Sequence, residues 1–213
     1  MILNKNNRIL VLAPHTDDAE FGCGATMAKF ADEKYEIFCI AFSAAEESIP
    51  PDLPKDINRI SMLKSMDSLG IQSSKVHILN YPVRNFPEHR QEILEDLVRF
   101  NKEINPDIVF LPSTFDTHQD HQVVSHEGFR AFKRSSILGY ELPWNNITFT
   151  TNCFIQIDES HLGKKQNSLE FYISQLGRSY INKNFIESWA ITRGGQIGFP
   201  FAEAFEIIRI VIT

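Results

Sequence analysis

The sequence contains few cysteines, and their arrangement excludes a disulfide framework. Its three cysteines, Cys23, Cys39 and Cys153, lie far apart and form no Cys-x-x-Cys pair. An odd number of separated cysteines predicts free thiols, which are typical of a reducing compartment. We therefore expect a cytoplasmic protein.

The sequence also has no long hydrophobic run and no excess of basic residues. The apolar run 9–14 is far shorter than the ~20 residues that a membrane span requires, and residues 1–8 have no apolar core of signal-peptide length. Lysine and arginine number 21 against 27 aspartates and glutamates, a net charge of −6. Because phosphate binding needs a concentrated basic face, we expect neither nucleic acid nor a membrane as a partner. Whether the chain forms a homo-oligomer stays open.

Short apolar runs alternate with amphipathic segments along most of the chain. The 213 residues, 43% of them hydrophobic, are expected to form one domain spanning 1–213. The apolar runs that predict buried strands are 8–14, 36–43, 75–79 and 107–112. The segments that predict helices are 25–33, 56–69, 90–104 and 120–133. This alternation predicts an α/β fold, a Rossmann-like, mostly parallel sheet with helices on both faces.

After residue 133 the pattern is less regular. It predicts strands at 137–141, 147–157 and 204–213, and a helix at 159–176.

Two clusters of histidine and carboxylate follow predicted strands. Residues 14–20 (PHTDDAE) follow the first strand, and residues 116–121 (DTHQDH) follow the fourth. Because ligands bind at the carboxyl ends of parallel strands, we expect both clusters at one rim. Imidazole and carboxylate suit Zn²⁺ or Fe²⁺, and a catalytic zinc requires three protein ligands. His15 and Asp18 can supply two ligands and a histidine of the second cluster the third.

The two clusters also fit other interpretations. Each cluster alone is also typical of a helix cap or a solvated turn. Gly22 and Gly24 follow a strand, but Met27 stands where a dinucleotide fingerprint has its third glycine, and the acidic residues would repel a pyrophosphate. We expect glycine here to let the helix pack close to the sheet. The sequence contains no Gly-x-Ser-x-Gly elbow and no His-Glu-x-x-His motif.

Three segments resemble a known family. Residues 13–24 (APHTDDAEFGCG) are similar to the Ala/Pro-His-Pro-Asp-Asp motif of the LmbE-like, PIG-L-type zinc-dependent N-acetylglucosaminyl deacetylases, and residues 118–121 (HQDH) to that family's His-x-Asp-His motif. Residues 193–205 resemble its C-terminal pattern. Thr16 and Gln119 replace the family's usual prolines, which affects the expected rate or geometry and not the reaction class.

The resemblance implies a metal site and assigns its ligands. His15, Asp18 and His121 are the implied zinc ligands, with iron as the alternative metal. A bound zinc lowers the pKa of water to ~7 and so provides a nucleophile at neutral pH.

The resemblance also implies three catalytic residues. Asp17 is the implied general base, since a carboxylate within reach can accept the proton of the attacking water. His118 is expected to be protonated and to stabilise the oxyanion. Asp120 is expected to orient His118 and keep it charged. The alternative for Asp120 is the N-cap of the following helix.

The expected function is the removal of an N-acetyl group from an N-acetylated amino sugar or sugar conjugate, releasing acetate and a free amine. Another metal-dependent hydrolysis (of a different N-acyl amide, an ester or a phosphoester) and a non-catalytic sugar- or metal-binding protein are the alternatives. Arg84, after the third predicted strand, and Glu46, after the second, are candidate substrate residues. For Glu46 a solvated loop charge is the alternative.

Overall fold

The computed structural model of the protein describes residues 7–175, 177–178 and 180–212. Within them a single sheet contains the strands β1 Arg8–His15, β2 Glu36–Ser43, β3 Val76–Ile78, β4 Ile108–Pro112, β5 Ser136–Tyr140, β6 Cys153–Ile157 and β7 Phe201–Arg209. The helices are α1 Asp18–Asp32, α2 Ile57–Ser68, α3 Arg90–Ile104, α4 Gln119–Ala131, α5 Glu159–Leu169 and α6 Lys183–Gly195.

The sheet is mostly parallel, as predicted. Its strand order is β3-β2-β1-β4-β5-β7-β6. The strands from β3 to β5 pair in parallel, and β7 runs antiparallel to both β5 and β6. The predicted α/β class is therefore confirmed.

Helices cover both faces of the sheet. Along β1, Ile9 and Val11 belong to the apolar cluster that contains residues of α1, α2, α5 and α6. Leu10 and Leu12 belong to the cluster with α3 and α4. Successive side chains of a strand point to opposite faces, so a strand covered on both sides consists of consecutive apolar residues.

Helix α1 begins at Asp18, earlier than the predicted residue 25. The helix is kinked at Cys23, where φ is −149° and ψ is 26°. Only the part after the kink repeats regularly in sequence, so the first turns were not predicted. A Cβ atom at Gly22 would overlap the ring of Tyr140 on β5, which confirms that glycine lets the helix approach the sheet.

Two buried charges replace the backbone hydrogen bonds at the kink of α1. The carboxylate of Glu203, on β7, accepts from the backbone N–H groups of Ala25 at 3.3 Å and Thr26 at 2.7 Å. Nζ of Lys165, on α5, donates to the carbonyl oxygen of Phe21 and to Glu203, both at 2.6 Å. Residues from the C-terminal half therefore fix the shape of α1.

The C-terminal half departs most from the sequence predictions. Strand β6 covers only the end of the predicted 147–157, and β7 both begins and ends earlier than the predicted 204–213. Helix α5 ends at Leu169 because the chain then turns and buries Tyr172, whose hydroxyl donates to Glu20 at 2.6 Å. Residues 176 and 213 of these predictions lie outside the described residues. Helix α6 was not predicted, since it buries only Ile186, Ala190 and Gly194.

The three cysteines are free thiols, as predicted. Cys23 and Cys39 are buried and Cys153 is partly buried. None of the helices described is both long and apolar enough to cross a membrane.

Candidate metal centre and substrate cavity

The two histidine–carboxylate clusters meet at the carboxyl ends of β1 and β4. These strands are neighbours in the sheet, and the strand order reverses between them. Such a switch point is where α/β sheets open a crevice for ligands. His15 ends β1, and His121 lies in the first turn of α4, which follows β4. Their rings approach to 3.3 Å between Nδ1 of His15 and Nε2 of His121, so the expected convergence is confirmed.

Asp18 completes a triangle of donor atoms with these two histidines. Its Oδ2 atom lies 3.1 Å from Nδ1 of His15 and 3.2 Å from Nε2 of His121. Bonds of ~2.0–2.1 Å in a tetrahedral zinc site place two ligand atoms about 3.3 Å apart. The donor types and spacings therefore fit one tetrahedral zinc, with one position left open.

His118 lies beside this triangle. Its ring stacks on that of His121 with centroids 4.6 Å apart, and one nitrogen from each of His15, His118 and His121 lies within 4.8 Å of the others. Nδ1 of His118, however, accepts from the backbone N–H of Asp120 at 3.1 Å. The shorter distances favour Asp18 as the third ligand and leave His118 for another role.

Both histidines of the triangle are oriented by a second carboxylate. Nε2 of His15 lies 3.0 Å from Oδ2 of Asp120, and Nδ1 of His121 lies 2.8 Å from Oδ2 of Asp116. Carboxylates in these positions fix the tautomer and the ring orientation of metal-binding histidines.

The prediction that Asp120 orients His118 is wrong for the carboxylate. That group contacts His15 and also accepts from the backbone N–H groups of Arg84 at 2.6 Å and Phe86 at 3.2 Å. Residues two apart at the start of a helix do not face each other. The alternative is also wrong, because the N-cap of α4 is His118, not Asp120.

The carboxylates raise the pKa values of the two histidines in the triangle. Burial lowers the pKa of His15, but its hydrogen bonds to Asp120 and Asp18 raise it more, to about 9. Burial likewise lowers the pKa of His121, and the charge of Asp18 and the bond to Asp116 raise it to about 10. Burial raises the pKa of Asp18, but the nearby imidazoles bring it well below its usual range.

The pKa shifts of Asp17 and His118 run in opposite directions. Burial and the charge of Asp18 raise the pKa of Asp17 to about 6. Burial lowers the pKa of His118, and the charges of His121 and His15 lower it further. Asp120 raises it by less, so the expectation of a protonated His118 is not supported. Since Nδ1 accepts a hydrogen bond, the neutral ring carries its proton on Nε2.

A cavity of about 230 Å³ opens over the triangle. Asp17, Asp18 and the histidines of the clusters lie on its floor. Its walls come from the loops after β2, β3 and β5, from α2 and from the segment between α5 and α6. On one wall Trp144 stacks on Tyr180 with centroids 4.2 Å apart and planes 15° apart. The polar residues on the walls are Ser48, Asn58, Arg84, Asn145, Gln175 and Arg178.

The two predicted substrate residues have different positions. Arg84 lines the cavity. Glu46 does not: its carboxylate accepts from Nε of Arg59 at 2.7 Å and lies in a separate, smaller cavity. The prediction for Glu46 is therefore wrong, because the ion pair holds it away from the floor.

The sequence did not identify the two carboxylates that support the second cluster. Asp116 was recognised only as part of the cluster, yet its carboxylate holds both the ring of His121 and the backbone N–H of His118. Glu206, on β7, accepts from the hydroxyl of Ser113 at 2.8 Å and from the backbone N–H of Thr114 at 2.9 Å. It thereby fixes the loop after β4. The five-residue spacing of Asp116 and His121 could have predicted their contact. No pattern in the sequence connects Glu206 to the loop after β4.

Comparison with known proteins agrees with this site. Residues 10–132 match the model of the PIG-L family, described as GlcNAc-PI de-N-acetylase. An Escherichia coli K12 protein named uncharacterized deacetylase YaiS is 26% identical over 180 residues, which cover 78% of this chain and 91% of that protein.

Solved structures show the same fold. An N,N'-diacetylchitobiose deacetylase from Pyrococcus horikoshii superposes with a TM-score of 0.78 at 22% identity, covering 95% of this chain and 84% of that one. The 4-carboxy-2-hydroxymuconate hydratase GalB from Pseudomonas putida also has a TM-score of 0.78, at 18% identity, covering 97% and 98% of the two chains. The fold alone therefore does not decide the reaction. The family match, which covers both histidine–carboxylate clusters and more than half of the sequence, shows that the chain belongs to the PIG-L family.

Proposed function

We propose that the protein is a metal-dependent N-deacetylase that removes the acetyl group from an N-acetylated amino sugar or sugar conjugate. The observation that carries the proposal is the triangle of His15, Asp18 and His121, with Asp17 and His118 beside it on a cavity floor. Membership of the PIG-L family supports the reaction class.

His15, Asp18 and His121 would hold the metal, zinc or iron. A bound zinc supplies a Lewis acid that polarises a carbonyl oxygen and acidifies water. Asp116 and Asp120 keep the two imidazoles in the orientation that points Nε2 of His121 and Nδ1 of His15 at Asp18.

Asp17 is the proposed general base. Its carboxylate is half-buried at the start of α1 and lines the cavity. A pKa of about 6 leaves it mostly ionised at neutral pH, yet basic enough to accept a proton from water. Water adds to the acetyl carbonyl carbon as Asp17 takes its proton. The C–N bond then breaks, the amine leaves with that proton, and the acetic acid that remains ionises to acetate.

His118 is the proposed donor to the carbonyl oxygen. Nδ1 is engaged by the backbone N–H of Asp120, so the Nε2–H is available to the cavity. Negative charge develops on the carbonyl oxygen during attack, and a hydrogen-bond donor fixed in advance stabilises it. A neutral imidazole is sufficient for this role.

The cavity walls suit a sugar ring. The stacked pair of Trp144 and Tyr180 offers an apolar face, and Arg84 offers hydrogen-bond donors from another loop. Two-metal phosphoester chemistry is not favoured, because Asp116 and Asp120 already bond the ligand histidines and are not free for a second ion.

The test measures metal content and acetate release together. Wild type, His121→Ala and Asp17→Asn would be loaded with zinc and incubated with N-acetylated amino sugars and their conjugates. We expect about one metal per chain and acetate release in wild type, loss of both in His121→Ala, and retained metal without turnover in Asp17→Asn. Metal binding that survives His121→Ala, or full turnover in Asp17→Asn, would contradict the proposal.

A further inference from the structure

Four arginines form no ion pair with a carboxylate of the described residues, and two of them, Arg84 and Arg178, line the cavity, whereas Arg134 and Arg209 do not. Six arginines form ion pairs with aspartate or glutamate: Arg8, Arg59, Arg90, Arg99, Arg130 and Arg193. Arg84 and Arg178 each have five N–H donors, most of which are left for a ligand.

Arg84 is fixed in place by its backbone. Its φ is +70°, a backbone conformation that residues other than glycine rarely adopt. Its N–H donates to Oδ2 of Asp120 at 2.6 Å, the same atom that bonds His15. Its guanidinium reaches Oγ of Ser48 at 3.4 Å, on the loop after β2. The backbone of Arg84 is therefore fixed beside the metal triangle, and its exposed side chain lines the cavity.

Arg178 is attached to the aromatic wall. Its Nη1 donates to the hydroxyl of Tyr180 at 2.7 Å, and Tyr180 stacks on Trp144. The charge of Arg178 also acts on Asp17 across the cavity floor. This second cation therefore stands beside both the stacking surface and the proposed base.

Two exposed cations without a carboxylate partner line the same cavity. A neutral sugar needs hydrogen bonds, which serine, asparagine and glutamine on these walls already offer. The planar guanidinium fork instead matches the oxygens of carboxylate and phosphate. We infer that the N-acylated substrate carries an anionic group, a carboxylate or a phosphate, that Arg84 and Arg178 bind while the sugar ring stacks on the Trp144–Tyr180 pair.

This inference rests on the proposed deacetylase function for its kinetic test. The test compares three substrates by their rates of acetate release. N-acetylglucosamine is neutral, N-acetylglucosamine 6-phosphate carries a phosphate and N-acetylmuramic acid carries a carboxylate. We expect kcat/KM to be about tenfold or more higher for at least one charged substrate, with the advantage shrinking as salt increases. Equal kcat/KM for all three substrates would overturn the inference, and the two charged substrates distinguish the sources of the anion.

Variants locate the effect. Arg84→Gln and Arg178→Gln should each lower the ratio of kcat/KM between charged and neutral substrates towards one. Arg99→Gln, on α3 and paired with Asp96, is the matched control and should leave the ratio unchanged. If both cavity variants lower kcat/KM equally for charged and neutral substrates, the arginines do not select an anion and the inference is wrong.

A binding experiment separates this inference from the proposed function. Glucosamine 6-phosphate and glucosamine, titrated calorimetrically into zinc-loaded protein, require no turnover. Tighter binding of the phosphate, lost in Arg84→Gln and Arg178→Gln, would support the anion site even if no acetylated sugar were hydrolysed. Acetate release without any preference for charged ligands would instead confirm the function and overturn the anion site.

Discussion

The carboxylate of Asp116 lies 2.8 Å from Nδ1 of His121 and thereby turns Nε2 of that ring towards His15 and Asp18. Asp120 has the same relation to His15. The geometry of the proposed metal site thus depends on two carboxylates that are not among its ligands.

Asp116→Asn should weaken metal binding without unfolding the protein. The amide can still contact Nδ1 of His121, but it no longer fixes the tautomer or increases the basicity of the ring. Loss of such a partner typically lowers metal affinity about 10–100-fold. Zinc affinity measured by competition with a chelator checks this, with the exposed Asp67→Asn on α2 as the control. Unchanged affinity in Asp116→Asn would show that the contact is only structural.

Asp17→Asn and Asp18→Asn should separate catalysis from metal binding. Asp17→Asn is expected to keep the metal and lose turnover by about 100-fold or more, since the amide cannot accept a proton. Asp18→Asn should lose the metal. With a pKa of about 6 for Asp17, wild-type kcat should fall as the pH drops through 6. Metal analysis and pH–rate profiles of both variants test the assignment. Equal loss of metal in the two variants would refute it.

His118→Ala should lower kcat by about 100–1,000-fold, the usual cost of removing one oxyanion donor. Metal content should stay unchanged, because His118 is not in the triangle. Loss of the helix cap should reduce the free energy of unfolding by only about 1 kcal/mol. His126→Ala, an exposed histidine on the same helix, is the control for kcat. Metal loss in His118→Ala would instead place this residue among the ligands.

Metal binding should release protons at neutral pH. Without metal, pKa values of about 9 for His15 and about 10 for His121 keep both rings protonated at pH 7. A metal requires unprotonated nitrogens, so binding should expel about two protons. Affinity should therefore rise from pH 6 to 9 and level off above the pKa values. Calorimetry in buffers of different ionisation enthalpy counts the protons, and a release of none would contradict the assigned contacts.

Lys165→Met should be strongly destabilising. It leaves the carboxylate of Glu203 buried without its partner and removes the donor to the carbonyl of Phe21. Breaking a buried ion pair in this way costs about 3–5 kcal/mol. Lys164→Met is a matched control on the same helix, because Lys164 pairs with Asp32 near the surface, where such a pair contributes about 0–1 kcal/mol. Urea unfolding of both variants measures the difference, and similar values would contradict the role of Lys165.

The N-terminal fold could be predicted because its elements have strong local patterns. Strand β2 and helix α3 have the predicted bounds, 36–43 and 90–104. Convergence of His15 and His121 followed from the parallel sheet alone, since both follow neighbouring strands at one rim. The start of α1 could not be predicted, because its bonding partners Lys165 and Glu203 are remote in sequence.

The sequence predicted the proposed metal ligands better than it predicted the contacts around them. His118 and Asp120 are close in sequence, which suggested a side-chain pair that the first turn of α4 does not allow. The wall residues Arg178 and Tyr180 lie in an irregular segment without periodicity. Only tertiary packing brings them to the cavity, so no local pattern identified them.

The buried contacts that Lys165 and Glu203 make at the kink of α1 also limit how this fold can be divided. The family model matches residues 10–132, a stretch that contains both metal-binding clusters. The charges that hold the first turns of α1 come from residues 165 and 203, beyond that stretch. A chain truncated after residue 132 would keep every proposed ligand in its sequence and still lack the means to place Asp17 and Asp18. The stretch 10–132 is therefore not a transferable module, and moving it onto another scaffold would require moving Lys165 and Glu203 as well.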